Sequence, residues 1–442
     1  MSELFPEALA RLKSSFAALP DFTPLTPAAA GIERVLLETA ERLADNFPYF
    51  HPLYAGQMLK PPHPVARAAY ALAMWINPNN HALDGGRASS SMEKEAVAQI
   101  ARMFGWDTHL GHLTGGGTMA NLEALWVAGR LHPGRTIVAS AQSHYTHERI
   151  SAVLQLPFEK IAQDARGRMD MAVLEKRLSQ GGVGCVVATL GSTGVGAVDP
   201  LPQILTLRDR YGFRLHVDAA YGGYFTLAEG LGAPAREAFD RIGEADSIVI
   251  DPHKHGLQPY GCGCVLFRDP SVGALYSHHS PYTYFSSNEL HLGEISLECS
   301  RPGAAAVALW ATQRLLPLAR GGEFAQGLSS SRRAALKFAE LLRADPRFVV
   351  PFEPELDIVV WAPRARSASA VSAASQWIFE QAAKQQLNLA LIQMPVSFFG
   401  TSSWPELERD REQMLCLRSV LMKPEHEAWL DEIIARLNRA LS

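Results

Sequence analysis

An α/β fold built on a mainly parallel sheet covered on both faces is predicted by two observations. Between Thr114 and Phe267, short apolar runs alternate with amphipathic stretches of helical spacing. The runs are almost continuously apolar, as strands buried on both faces are. A third observation, a change of texture after about residue 320, predicts a smaller α+β domain at the C-terminal end. The expected division is an appended segment over 1–60, a large α/β domain over 61–320 and a small domain over 321–442.

In chain order, the apolar spacing from Glu33 to Leu43 predicts a helix, which Pro48-Tyr-Phe-His-Pro-Leu-Tyr54 interrupts. Another helix is expected from Val65 to Ile76. Ser90-Ser-Met-Glu93 reads as a capping box that opens a helix running through Phe104. Strands are expected at Thr136–Ser140, Cys185–Leu190, Leu215–Ala219, Ile248–Ile250 and Cys264–Phe267. The helices Met171–Leu178 and Leu201–Tyr211 lie between them. A helix over Ala304–Leu318 follows a polar segment. The C-terminal part mixes helices (about Phe324–Arg343, Ala368–Gln386 and His426–Leu441) with short strands at Asp357–Trp361, Leu389–Ile392 and Leu415–Leu421.

Composition narrows the class. The chain has 442 residues, 47% hydrophobic and 19% charged, with net charge -4. That size supports a large core, and the charge offers no nucleic-acid footprint. Five scattered cysteines, an odd number, suit reduced thiols rather than a disulfide framework. The first residues lack the apolar core of a signal peptide, and no apolar run reaches membrane-spanning length. A cytoplasmic protein without a membrane partner is expected.

Chemistry-bearing residues gather where apolar runs end. Leu113-Thr-Gly-Gly-Gly-Thr-Met-Ala-Asn121 is a glycine turn opening a helix. Its free N–H groups at Gly116, Gly117 and Thr118 suit a phosphate, although tight turns before helices are common. His144 and His147 follow a strand and, taken singly, read as ordinary polar residues at a strand end. Asp218 ends an apolar run and is followed by Ala219 and Ala220. A buried carboxylate needs a cation or donor, and Ala220 leaves room for a flat ring. Lys254, in Asp251-Pro-His-Lys254, follows another apolar run. It either reaches solvent or is enclosed, and an enclosed lysine becomes a usable amine nucleophile. A lysine for an aldehyde and an acid for a ring nitrogen are together what pyridoxal phosphate needs.

In this order the motifs resemble those of the group II pyridoxal-phosphate-dependent decarboxylases, the family of glutamate and aromatic amino-acid decarboxylases. The likeness rests on Gly116-Gly-Thr118, His144, His216-Val-Asp-Ala-Ala-Tyr221 and Asp251-Pro-His-Lys254. Looser likeness lies in His51-Pro-Leu-Tyr-Ala-Gly-Gln57, Gly191-Ser-Thr-Gly194 and Cys416-Leu-Arg-Ser-Val-Leu421. The resemblance implies the aspartate aminotransferase-type fold (fold type I) with a seven-stranded central sheet, and a homodimer whose N-terminal segment wraps the partner. It implies that Lys254 binds the cofactor covalently, Asp218 meets the pyridine nitrogen and His144 stacks on the ring. Gly117, Thr118 and His253, with Ser192 or Thr193, would bind the phosphate.

The implied reaction is decarboxylation of an L-amino acid to the amine and CO2. A loop tyrosine, Tyr284 or its neighbour Tyr282, would return the proton. Tyr49, Phe50, Tyr54 and Trp75 favour an aromatic substrate, while Gln57 and Arg418 suit an acidic one. Two features depart from the family pattern. His255 stands where a tryptophan is frequent, and Cys299-Ser-Arg-Pro-Gly303 is similar to the sphingosine-phosphate lyase and archaeal tyrosine decarboxylase branch. A carbon–carbon lyase is therefore the second reading. A metal protein using His144, His147, His253, His255, His278, His279, Cys262 and Cys264 is a third, although no zinc spacing matches. A non-catalytic homologue is the last.

Overall fold

The computed structural model describes residues 4–23, 31–277, 290–401 and 404–441. Its centre is a seven-stranded sheet of β1 (Leu110–Thr114), β2 (Thr136–Ser140), β3 (Phe158–Ile161), β4 (Val183–Thr189), β5 (Arg214–Asp218), β6 (Ser247–Ile250) and β7 (Gly263–Phe267). The spatial order is β1-β7-β6-β5-β4-β2-β3. Strands β2 to β6 pair in parallel, and β7 runs antiparallel to both β6 and β1.

Strand β4 shows why these runs are continuously apolar. Val186 and Ala188 pack with Leu174, Ile204 and Leu205 on one face. Cys185 and Val187 meet Leu125, Ala128 and Ile150 on the other. Alternate side chains of a strand point to opposite faces, and here both faces are covered. Local signals place the covering helices. Asp170 accepts the N–H groups of Ala172 and Val173 at the start of Met171–Leu178. Leu201–Tyr211 ends at Gly212, whose φ of 68° is the left-handed conformation that glycine tolerates.

A second sheet comprises β8 (Phe348–Val349), β9 (Ile358–Pro363), β10 (Ala390–Pro395) and β11 (Gln413–Val420), in the order β10-β11-β9-β8 and antiparallel throughout. Helices Glu323–Ala344, Ala368–Lys384 and His426–Leu441 bury Phe338, Ile378 and Ile433 with Trp361 and Leu417 of this sheet. Among the described residues, no helix is long and apolar enough to cross a membrane.

One expectation is overturned. Ser90 and Glu93 do not cap a helix, because the helix spans Leu83–Met103 with non-helical backbone at Gly86. Both residues are buried inside it. Glu93 Oε1 instead accepts the Leu113 N–H at 2.9 Å and Arg301 Nη1 at 2.9 Å, and Oε2 accepts Asn80 Nδ2 at 2.6 Å. The tertiary partners outcompete the local cap.

Candidate active site

Parallel pairing brings Thr189 of β4 opposite Asp218 of β5, and Asp218 opposite Val249 of β6. The chain then leaves β6 through Asp251, His253 and Lys254. The carboxyl ends of these adjacent strands border a cavity of about 440 Å³, the place where open α/β sheets take ligands. The glycine turn before helix Gly117–Leu131 closes the opposite side.

Lys254 Nζ lies 3.1 Å from Asp251 Oδ2, and its side chain is 18% exposed. The amine is thus largely enclosed and is held by a carboxylate three residues away. Asp251 Oδ2 also lies 3.4 Å from His253 Nε2. The His253 ring stacks on Tyr260 with centroids 4.6 Å apart, and its Nδ1 accepts the Cys262 N–H at 3.3 Å. Burial pushes the His253 pKa below its ordinary value. The glycines are needed here for close approach. A Cβ on Gly117 would meet Asp251 Oδ2 at 2.7 Å, and one on Gly116, whose φ is 150°, would meet His253 Cε1 at 3.2 Å.

Asp218 is 5% exposed. Its Oδ2 accepts His147 Nε2 at 2.8 Å, and its Oδ1 accepts the Ala220 N–H at 3.1 Å. Burial works against the charged form, but the His147 and Ala220 hydrogen bonds and the Lys254 charge hold the carboxyl below its usual range. His144 also borders the cavity. Its Nδ1 faces Thr146 Oγ1 at 2.8 Å and the Thr146 N–H at 3.3 Å, and burial lowers its pKa. The result is a flat, neutral ring held in one orientation.

These residues fit pyridoxal phosphate on structural grounds. The glycine turn borders the cavity with Gly115, Gly116, Gly117 and Thr118 at a helix N-terminus. Thr189 Oγ1, on the cavity wall, is buried without a hydrogen-bond partner among the described residues. An ionised carboxylate and an amine face the same space.

Of the residues singled out from sequence, Gly116, Gly117, Thr118, His144, Thr193, Asp218, Ala220, His253 and Lys254 line this one cavity. Ser192 does not, because it is buried and its Oγ accepts the Ala197 N–H at 3.1 Å. Gln57 and Arg418 meet each other (Nη1 to Oε1, 3.1 Å) outside the lining. Tyr49, Phe50, Tyr54 and Trp75 also lie outside it. Tyr49 and Tyr54 pack edge to face at 4.9 Å, while Phe50 and Trp75 are exposed. Tyr282, Tyr284, His278 and His279 fall outside the described residues.

Among the described residues, no three His, Cys, Asp or Glu side chains are placed to hold a metal ion. His147 is paired with Asp218, His255 lies 3.2 Å from Asp357, and Cys262 and Cys264 are core residues. Sequence reasoning assigned His147 no cofactor role, offered Asp251 only as part of its motif and did not single out Thr189. The i,i+3 spacing of Asp251 and Lys254 was a usable signal for one of them. Nothing local announced the pairing of His147, which lies 71 residues from Asp218.

Residues 119–363 match the family described as the pyridoxal-dependent decarboxylase conserved domain. The L-tyrosine decarboxylase of Enterococcus faecium is 30% identical over 413 residues, covering 70% of this chain and 67% of that protein. The L-aspartate decarboxylase of Thermococcus kodakarensis is 29% identical over 335 residues, covering 75% and 84%. Among solved structures, mouse CSAD in apo form superposes with a TM-score of 0.79 at 21% identity, covering 98% of this chain and 92% of that one. Oryza sativa TDC with PLP and tryptamine gives 0.78 at 19% identity, covering 100% and 96%. These two likenesses speak for the fold. The chain belongs to the pyridoxal-dependent decarboxylase family.

Proposed function

We propose that this family member, an amino-acid decarboxylase dependent on pyridoxal phosphate, acts on an aromatic L-amino acid. The observation that carries the site assignment is the convergence of Lys254, Asp218, His144 and the glycine turn on one cavity. When bound, pyridoxal phosphate supplies an aldehyde that takes up amines and a ring that accepts the electron pair left as CO2 departs. The chain's own residues do the rest. Lys254 would hold the aldehyde, and Asp251 orients the lysine head. Asp218 accepts the ring N–H as an anion. His144 packs against the ring face, with Ala220 bordering the same cavity.

The N–H groups at Gly116, Gly117 and Thr118, at a helix N-terminus, receive the phosphate together with His253 and Thr193. The cavity's part would be orientation, because the way these residues hold the substrate would decide which of its bonds breaks. Tyr284, or Tyr282, returns the proton to Cα.

Two observations support the aromatic substrate. Met119, Leu122 and Tyr221 line the cavity, and no arginine does among the described residues. The Enterococcus relative acts on tyrosine by its name. One observation favours an acidic substrate instead. Arg418 is 5% exposed, and its Nε and Nη2 have no hydrogen-bond partner among the described residues. An acidic substrate would place its side-chain carboxylate there.

We also infer a homodimer clasped by residues 1–60, with 61–320 and 321–442 as the two domains. Helix Ile32–Leu43 buries no residue, and Leu36 and Leu37 are 62% and 60% exposed. Sedimentation of the full chain carrying Leu36→Glu and Leu37→Glu would report a monomer.

The substrate test is mass spectrometry of products from a mixture of L-amino acids, with Lys254→Ala alongside. Loss of CO2 from tyrosine, phenylalanine or tryptophan, absent in the variant, supports the reading. Loss from aspartate or glutamate alone replaces it with the acidic one.

A further inference from the structure

His147 is fully buried and does not border the cavity. It sits at the start of helix Thr146–Val153 with its Nε2 2.8 Å from Asp218 Oδ2. An ionised carboxylate can only accept, so Nε2 carries the proton. The other ring nitrogen, Nδ1, is buried with no hydrogen-bond partner among the described residues. The geometry directs the Nε2 proton at the Asp218 carboxylate.

The next ring inward agrees. His216, with its centroid 6.5 Å away, has Nε2 2.8 Å from Asn121 Oδ1 and Nδ1 2.9 Å from Ser247 Oγ. The amide oxygen only accepts, so Nε2 again holds the proton, and burial pushes this group down to about 3. Asp218 is thus an anion held by two donors. One of its oxygens is restrained by His147 and the other by the Ala220 N–H. Two donors on different oxygens stop the carboxylate rotating and leave its remaining lone pairs for the cavity it borders.

We propose that His147 is a positioning residue that holds the Asp218 carboxylate as an oriented anion against the cofactor's ring nitrogen, and so sets the ring's strength as an electron acceptor. The inference rests on the reading that Asp218 meets that nitrogen. It assigns work to a histidine outside the cavity, through a hydrogen bond that supplies direction.

The test uses full-length apoprotein titrated with pyridoxal phosphate and with its 1-deaza analogue, in which a C–H replaces the ring nitrogen. The wild type is expected to prefer pyridoxal phosphate by about tenfold or more, the size of one charge-assisted hydrogen bond. In His147→Phe, a ring without a donor, the preference should shrink to within about threefold. That loss should come from weaker pyridoxal phosphate binding, with the analogue unchanged. His147→Leu serves the same arm if the larger ring prevents folding. His147→Gln, whose amide restores a donor, should regain most of the preference.

In the loaded enzyme, kcat should fall in His147→Phe with little change in KM. A variant that keeps the wild-type preference, or weakens both ligands equally, overturns the positioning role while leaving Asp218 in place. A wild type without any preference overturns the Asp218 reading, and this inference with it.

Discussion

Asp251 Oδ2 and Lys254 Nζ are joined at 3.1 Å across a turn of three residues. The carboxylate holds the amine at the cavity wall, ready for the aldehyde. In Asp251→Asn the charge-assisted part of this contact, ~1.5–3 kcal/mol, is lost. Covalent capture of pyridoxal phosphate, followed by absorbance in stopped flow, should slow by about tenfold. An unchanged rate would mean that Asp251 serves only the shape of the turn. Lys254→Ala should abolish capture altogether.

The glycine turn allows a second check. In Gly117→Ala the new methyl would lie 2.7 Å from Asp251 Oδ2, so the turn or the carboxylate must move. Overpacking of this kind costs ~1–3 kcal/mol. Affinity for pyridoxal phosphate should fall by about tenfold with the circular dichroism spectrum unchanged. Full affinity would show that the phosphate does not use this turn.

Arg301 ties the Cys299–Gly303 run to the same turn. Its Nη1 donates to Glu93 Oε1 at 2.9 Å and to the Leu113 carbonyl at 2.6 Å, and both side chains are buried. Arg301→Met leaves Glu93 without its cation. Breaking a buried pair from one side costs about 3 kcal/mol or more, so the urea midpoint should drop clearly. A midpoint within error of the wild type would mean that Leu113 and Asn80 alone satisfy Glu93.

Acid sensitivity should follow from His426. It is fully buried, its Nδ1 accepts the Lys423 N–H at 3.2 Å, and burial pushes its pKa down to about 3. Between about 6.5 and 3 the unfolded chain binds a proton here that the folded chain refuses. Stability therefore falls as pH drops through that window. In His426→Asn, whose Oδ1 can replace Nδ1 as acceptor, the slope of unfolding free energy against pH should decrease by about 1.4 kcal/mol per pH unit. An unchanged slope would place the proton uptake elsewhere.

Much of the architecture was legible along the chain. The helices Met171–Leu178, Leu201–Tyr211 and His426–Leu441 and the strand Thr136–Ser140 fall where periodicity put them. Strand β1 (Leu110–Thr114) escaped notice, because Gly111 and His112 interrupt its apolar run. In the structure, His112 is satisfied by Glu123 at 2.9 Å, and Gly111 leaves room for Leu266, which a Cβ there would meet at 2.5 Å. Similar long-range contacts defeated the capping box at Ser90, whose Glu93 turned to Asn80, Leu113 and Arg301.

What the sequence determined by itself was whatever depends on near neighbours. Apolar period marked the strands and helices, and the ends of those strands marked Asp218, Lys254 and the glycine turn as chemical positions. Only the tertiary structure decided their partners. Asp218 took His147, Glu93 took Arg301 208 residues away, and Arg418 took Gln57 361 residues away. The reason is physical. A buried charge must find a donor or a counter-charge wherever the folded chain brings one within about 3 Å. Parallel strands joined by crossover helices bring together residues that no local pattern links.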